Sequence, residues 1–572
     1  MAPKRKSDAR KAPKAAKKSK IASPAPVDTP RLLSLDEVDA LFQDLTTSKL
    51  SYNNLVKLLE QYPLIKEELL ALEAAGSEEA VEAVETTARH LSLNLFKFFQ
   101  DKLKTAALML KSSQKEKEQV LIKWLRAKYD QFKGLVLEFI RSDLGYESSL
   151  QIDLLEIYLN LIKLESHHMN PNASDSYFPN LSFNKLCEAL LTNENSEILS
   201  DGTCNNFIIL EFIESFFNKY WDLQFYFMND LNDSIVSWRA ENEATNPEML
   251  QAIYSNFLTI MKSSTMLFQT AKDFDLAELE TLTSPPSAVT KSTQYKAQFS
   301  KTWLSALNYP LLPSQYKSTL LILHKRIIPF MTQPPQLMDF LTDSYNVGGV
   351  VSILSLNSLF ELMKKYNLEY PDFYTKLYSL LDQSILHTKY KARFFRLCDV
   401  FLSSTHLPNA IICSFVKKLA RLSLTASASG VVLVIPFVYN LFKRHPSAMI
   451  MVHNTSMDEA ALKAYKDPFS LTEADPLKTR ANESSLWELE TLMQHYHPNI
   501  ATLAKIFGEP FRKQSYNMED FLDWSYESLL SAERNKRYKG KVALEFEEFD
   551  SLLRAEDVSE EPNTAYLEGW AW

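Results

Sequence analysis

The sequence predicts an all-α protein: HEAT-like or armadillo-like helical repeats in two arrays, between a disordered basic N-terminal tail and an acidic C-terminal tail. Three observations carry this. Glycine is scarce, with 10 in 572 residues, where average usage of ~7% would give roughly 40; tight βα turns, hairpins and phosphate loops all consume glycine. Apolar residues recur at three- and four-residue spacings, one face of a helix. The length exceeds one ordinary core and suits about two to four domains or an extended repeat array, while the 46% hydrophobic content is that of a folded soluble protein.

Residues 1–30 are rich in Lys, Ala, Pro and Ser and lack the apolar content to build a core. Residues 1–20 hold nine Lys/Arg against Asp8, so the tail carries +8; with a total of -9, the remainder carries -17. Lys4, Arg5, Lys6, Lys17, Lys18 and Lys20 form short basic runs with the composition of a nuclear import signal. The acidic body is a poor generic binder of nucleic acid, because phosphate affinity comes from Lys and Arg.

Order is expected from about Leu32. Ser34 and Glu37 form an S-x-x-E capping box at a helix start. The span 31–280 reads as the first helical array: Leu155, Tyr158, Leu159 and Ile162 make one stripe, and Leu210, Ile213, Phe217 and Tyr220 another. Gly76–Glu85, Asn170–Pro179 and Asn193–Thr203 read as turns or short loops. No internal repeat has a clean period. Residues 281–300, with Thr, Ser and Pro285-Pro286 in place of an apolar stripe, read as a linker. The second array spans 301–544, with stripes at Ile353, Leu356, Phe360 and Met363 and at Tyr374, Leu377, Tyr378, Leu381 and Ile385. Gly348-Gly349 suits a junction between helices. Leu424–Phe442 has the length of a membrane span, but its dense apolar part is short and contains Pro436, which favours a buried helix over a membrane reading. Asp467–Arg480 reads as a loop. Residues 545–572 form the acidic tail, a candidate docking segment.

Catalytic signatures are missing. Neither G-x-x-x-x-G-K-[ST] nor G-x-G-x-x-G occurs, so no nucleotide cofactor is expected. Cys187, Cys204, Cys398 and Cys413 show no C-x-x-C spacing and read as buried thiols of a reducing compartment. His495 and His497 lack a third ligand nearby; His497 reads instead as the residue before Pro498, a favoured first position of a helix, which Gly508 would stop. No metal or other cofactor is expected, and the chain reads as a non-enzyme.

The C-terminal array concentrates aromatic residues. Ser485 and Glu488 make a second S-x-x-E pattern, read as another capping box. Trp487, Tyr496, Phe511, Tyr516 and Phe521 follow within a short span and are candidate partner-binding anchors, since binding energy concentrates on aromatics and arginines. Arg534, Lys536, Arg537 and Lys539 are candidate RNA-phosphate contacts, or a solvated helix end that suits the macrodipole.

Asn346–Leu381 (NVGGVVSILSLNSLFELMKKYNLEYPDFYTKLYSLL), followed by HPSAMIMVH at 445–453, DPF at 467–469, ESSLWELETL at 483–492, HYHPNIATLAKIF at 495–507 and SYNMEDFLDWSY at 515–526, resembles the CCAAT-binding-factor domain of the nucleolar complex protein family. The match covers about 340–530 and lies closest to that family's fourth group. The resemblance implies a HEAT-like helical fold and a non-enzymatic nucleolar assembly factor for the small ribosomal subunit. It implies pre-rRNA processing within the small-subunit processome and the pre-ribosomal particle, with a protein of the nucleolar protein fourteen family as obligate partner. No membrane partner is expected, and RNA contact should be weak for the chain alone. The alternative is a nuclear transport adaptor or general helical-repeat scaffold; an import carrier would show a recurrent repeat and no import tail of its own.

Overall fold

The computed structural model describes residues 31–47, 49–109, 116–170, 176–265, 279–366, 370, 372–388, 390–453 and 458–537. The basic tail, Lys539 and the acidic tail lie outside the described residues. The chain divides into two compact units, Met1–Glu369 and Tyr370–Trp572.

The first unit is a succession of helices: α1 Leu35–Thr47, α2 Asn53–Leu59, α3 Gln61–Ala75, α4 Glu78–Lys104, α5 Glu116–Arg141, α6 Ser149–His168, α7 Asn180–Leu191, α8 Phe207–Glu211, α9 Trp221–Asn242, α10 Pro247–Ser263, α11 Ser292–Ala306, α12 Pro313–Ile322, α13 Met338–Asn346 and α14 Gly349–Tyr366. Each packs mainly on helices one or two places away in the chain: α3 on α4, α4 on α6, α5 on α7, α7 on α9, α9 on α11, α12 on α14. That sequential packing is how helix-pair repeats bury their faces. Ser34 and Glu37 do form the capping box, with Ser34 N–H donating to Glu37 Oε2 at 3.0 Å and Glu37 N–H to Ser34 Oγ at 3.4 Å. Leu155, Tyr158, Leu159 and Ile162 are buried together.

Several expectations change. The turn expected over Gly76–Glu85 shrinks to two residues, because α4 restarts at Glu78 after Gly76 in a left-handed conformation. Leu210 leaves the stripe of Ile213 and Phe217 and is exposed; Phe212–Phe217 is a π-helical turn, whose extra residue rotates the faces relative to a 3.6-residue period. The loop 193–203 holds half of a small hairpin, β1 Glu197–Ile198 paired antiparallel with β2 Cys204–Asn205. Gly202 in that hairpin has φ of +80°, and a Cβ there would lie 2.5 Å from the Gln315 backbone nitrogen, so no other residue fits. Gly348, with φ of +88°, joins α13 to α14.

The linker expected at 281–300 is part of the first unit. Its Thr and Ser groups serve the core: buried Asp222 accepts hydrogen bonds from the backbone N–H of Leu282 at 3.0 Å and of Thr283 at 2.9 Å, and from Thr283 Oγ1 at 2.7 Å. Trp221 Nε1 donates to the Val289 carbonyl at 3.1 Å, and α11 runs through the end of the segment and packs on α9. The polar composition that suggests a linker is satisfied internally; the division between units falls after Glu369.

The second unit contains α15 Phe373–Ser379, α16 Lys391–Phe401, α17 Asn409–Ser423, α18 Ala428–Arg444, α19 Glu459–Ala464, α20 Trp487–Leu492, α21 Pro498–Ala504, α22 Glu519–Leu522 and α23 Tyr526–Arg534. Its axis is α18, every residue of which from Ala428 to Phe442 is buried, against α17, α21, α22 and α23. This is the apolar stretch with membrane-span length. A helix apolar all round needs apolar neighbours all round, and here they are protein. No helix among the described residues is long and apolar enough to cross a membrane. All four cysteines are buried and unbridged; burial pushes the thiol of Cys204 up to about 11 and that of Cys413 up to about 12, so neither is a ready nucleophile.

Candidate protein-docking groove

The second unit gathers distant sequence motifs around one buried cation. Lys417 lies on α17 at a core register with Cys413 and Ala420, and its side chain is fully buried. Its Nζ reaches Glu488 at 2.7 Å and Asp467 at 2.9 Å and donates to the Ser485 carbonyl at 2.6 Å. One turn on, Arg421 pairs with Asp467 at 3.0 Å and Glu488 at 2.9 Å. Asp467 also accepts from Ser484 Oγ at 2.6 Å and from Trp487 Nε1 at 3.1 Å. These donors outweigh burial and hold the Asp467 carboxyl down to about 2. The Arg421 guanidinium sits 4.7 Å from the Trp487 ring centroid, a cation–π stack.

This corrects the second capping box. Glu488 does not reach back to Ser485; it is buried in the ion cluster, and the Ser485 N–H donates to Tyr465 Oη at 3.1 Å. The helix α20 starts at Trp487 with no side-chain cap. The cluster ties the DPF loop to the LWELE helix, and Leu486 N–H donates to the Met451 carbonyl at 3.1 Å, adding the HPSAMIMVH segment. Between these pieces and Phe507–Gly508 runs an open groove of about 390 Å³, its apolar walls including Met451, Val452, Leu486, Leu489 and Met493, with Trp487 at its edge. Ile450 is exposed next to Met451, and Tyr496, three residues past Met493, is 80% exposed.

Of the five candidate anchors, Trp487 lines this groove and Tyr496 stands open to solvent close by in the chain. Phe511 and Tyr516 are packed instead on Tyr439 of α18, at 4.8 and 5.0 Å between centroids. The irregular stretch that carries them is strapped to the same helix: Tyr439 Oη donates to the Lys513 carbonyl at 2.6 Å, and the Asn440 side chain pairs with both backbone groups of Tyr516 at 2.8 Å each. Phe521 is half-buried against Tyr516. Of the basic run, Arg534, Lys536 and Arg537 are exposed at the end of α23, and Lys536 pairs with Glu533 at 3.7 Å. His497 caps α21, its ring nitrogen accepting from Asn499 N–H.

The sequence alone assigns no role to Lys417, Arg421, Asp467 or Ile450, although Asp467 and Ile450 lie within the DPF and HPSAMIMVH segments. One signal for Lys417 existed: a lysine at i+4 from Cys413 and three before Ala420 sits on a helix face that is otherwise core.

Two units of helices packed in succession define a helical-repeat protein. Residues 352–504 match the model of the CBF/Mak21 family, and residues 33–243 match the model described as nucleolar complex protein 4-like, TPR repeats, TPR repeats being another stacked helix-pair architecture. Nucleolar complex protein 4 of Saccharomyces cerevisiae is 43% identical over 571 residues, covering 95% of this chain and 100% of that one. The Mus musculus homologue is 33% identical over 491 residues, covering 86% and 92%, and the Gallus gallus homologue 33% over 494 residues, covering 85% and 92%. The chain belongs to the nucleolar complex protein 4 family.

Proposed function

We propose that this protein is a non-enzymatic nucleolar assembly factor for the small ribosomal subunit, acting in pre-rRNA processing within the small-subunit processome. In this reading it is a helical scaffold that holds a protein of the nucleolar protein fourteen family. The observation that supports it most is the groove beside Trp487. Its apolar walls and the exposed Ile450 and Tyr496 near it in the chain suit the desolvated centre of a protein interface, and the ion cluster of Lys417, Arg421, Asp467 and Glu488 ties together the segments that carry it. The relatives' name, nucleolar complex protein, supports the compartment, and the basic runs Lys4–Lys6 and Lys17–Lys20 supply an import signal of the expected composition. RNA contact through Arg534, Lys536 and Arg537 is secondary, since the body of the chain is acidic.

The test is the affinity of the full chain for the nucleolar protein fourteen-family partner of its own organism. The double variant Ile450→Asp, Tyr496→Ala changes only exposed side chains. It should weaken binding about tenfold or more, the loss expected when interface anchors are removed, with the melting temperature unchanged. Undiminished affinity would move the docking site elsewhere.

A further inference from the structure

Among the described residues of the second unit, Arg393, Arg421 and Arg444 are the half-buried arginines. Arg421 is tied to Asp467 and Glu488, and Arg444 to Asp399 at 2.7 Å. Arg393, on α16, is different. Its guanidinium has no acid within 4 Å and no hydrogen-bond acceptor among the described residues, and its Nη1 is fully buried. Burial lowers its pKa, Tyr390 nearby raises it in part, and Arg396 lowers it further. A guanidinium stays charged all the same, and a buried charge without a partner costs free energy. Nothing in the packing of the second unit calls for an arginine here.

The surrounding sequence is basic. Between Asp382 and Asp399 the chain carries Lys389, Lys391, Arg393 and Arg396 and no acid, within a body that is acidic overall; Lys389 lies outside the described residues. Lys391 is half-buried as well and has no carboxylate within 4 Å among the described residues; it donates to the Trp524 carbonyl at 3.0 Å. Arg396 is held by Glu519 at 2.6 Å. Tyr390, one turn before Arg393, is half-exposed. A guanidinium fork beside uncompensated positive charge matches the oxygens of a phosphate, and a tyrosine ring next to it gives a base a face to stack on.

We propose that Arg393, with Lys391 adding positive charge, holds a backbone phosphate of single-stranded RNA, with a base stacked on Tyr390. This rests on the reading of the chain as a pre-rRNA assembly factor, which favours RNA over an acidic protein segment as the anion. It places the stronger RNA contact at α16 and not at the end of α23.

Fluorescence anisotropy of the full chain with a labelled oligouridine, at low and raised salt, tests this. The N-terminal tail is common to every variant, so its contribution cancels in the comparison. Arg393→Gln should weaken binding about tenfold, the size of one hydrogen-bonded contact to a charged group, and lower the slope of log affinity against log salt by about one. Tyr390→Ala should weaken binding about tenfold and leave the slope as it is. Arg534→Gln with Arg537→Gln should change affinity less than about twofold. The melting temperature of Arg393→Gln should be unchanged or higher, because an unpaired half-buried charge has been removed; a lower one would give Arg393 a structural role and overturn the proposal. Unchanged RNA affinity of Arg393→Gln would also overturn it, and weaker binding of the nucleolar protein fourteen-family partner by that variant would then assign the guanidinium to a protein carboxylate. Both results leave the separate test of the groove, Ile450→Asp with Tyr496→Ala, standing, so failure of this inference and failure of the assembly-factor reading are told apart.

Discussion

The S-x-x-E pattern does two different things at Ser34–Glu37 and at Ser485–Glu488. At Ser34–Glu37 both groups are near the surface, and the serine and glutamate satisfy the first backbone donors of α1. At Ser485–Glu488 the glutamate is fully buried beside Lys417 and Arg421. In water, the best use of the side chain is a local cap worth about 1 kcal/mol. Inside the second unit, an unpaired buried lysine would cost several kcal/mol, so the charge pair takes the glutamate and the helix starts uncapped. Local pattern decides where nothing larger competes; burial of a charge is larger.

The contrast sets the size of the expected effects. Removing one member of the buried cluster should be the most damaging change. Lys417→Met leaves Glu488 and Asp467 without their buried cation and should cost about 3–5 kcal/mol, read as a lower urea midpoint for the second unit. A comparable device in the first unit should rank next. Asp222→Ala strands the donors of Leu282 and Thr283, at about 2–3 kcal/mol, and should loosen 281–290 in hydrogen exchange.

Acid should act through Asp467. Its pKa in the folded chain lies below that of the unfolded chain, so its stabilisation is present above about pH 4 and is lost as pH falls toward about 2. The contribution is about 2 kcal/mol, and Asp467→Asn should flatten the acid limb of stability against pH. A smaller effect belongs to the surface cap: Ser34→Ala should cost about 1 kcal/mol, seen as fraying at the start of α1.

The fold class was legible because helical periodicity and glycine scarcity are local and repeat along the chain. The stripe Leu155–Ile162 and the all-buried α18 follow from side-chain spacing alone. The π turn at Phe212–Phe217 was not legible, since one inserted residue leaves no mark in composition. The supposed linker at 281–300 misled for a related reason: its threonine and proline chemistry is that of a solvated segment unless an acid 60 residues away, Asp222, is known to receive it. In the groove, Trp487 was legible as an aromatic in a dense region. Phe511 and Tyr516 looked the same in sequence, and only their packing on Tyr439 separates core from surface. Lys417 and Asp467 were hidden because each is ordinary until the other is placed within 2.9 Å.

The most direct measurement is the paired stability of two single variants, Ser485→Ala and Glu488→Gln, by urea denaturation in the full chain. If Glu488 serves the ion cluster and not a cap, Ser485→Ala should change stability by less than about 0.5 kcal/mol, as a substitution outside any special feature does. Glu488→Gln should then cost about 3 kcal/mol. A cost near 1 kcal/mol for Ser485→Ala, with Glu488→Gln close to neutral, would contradict the account.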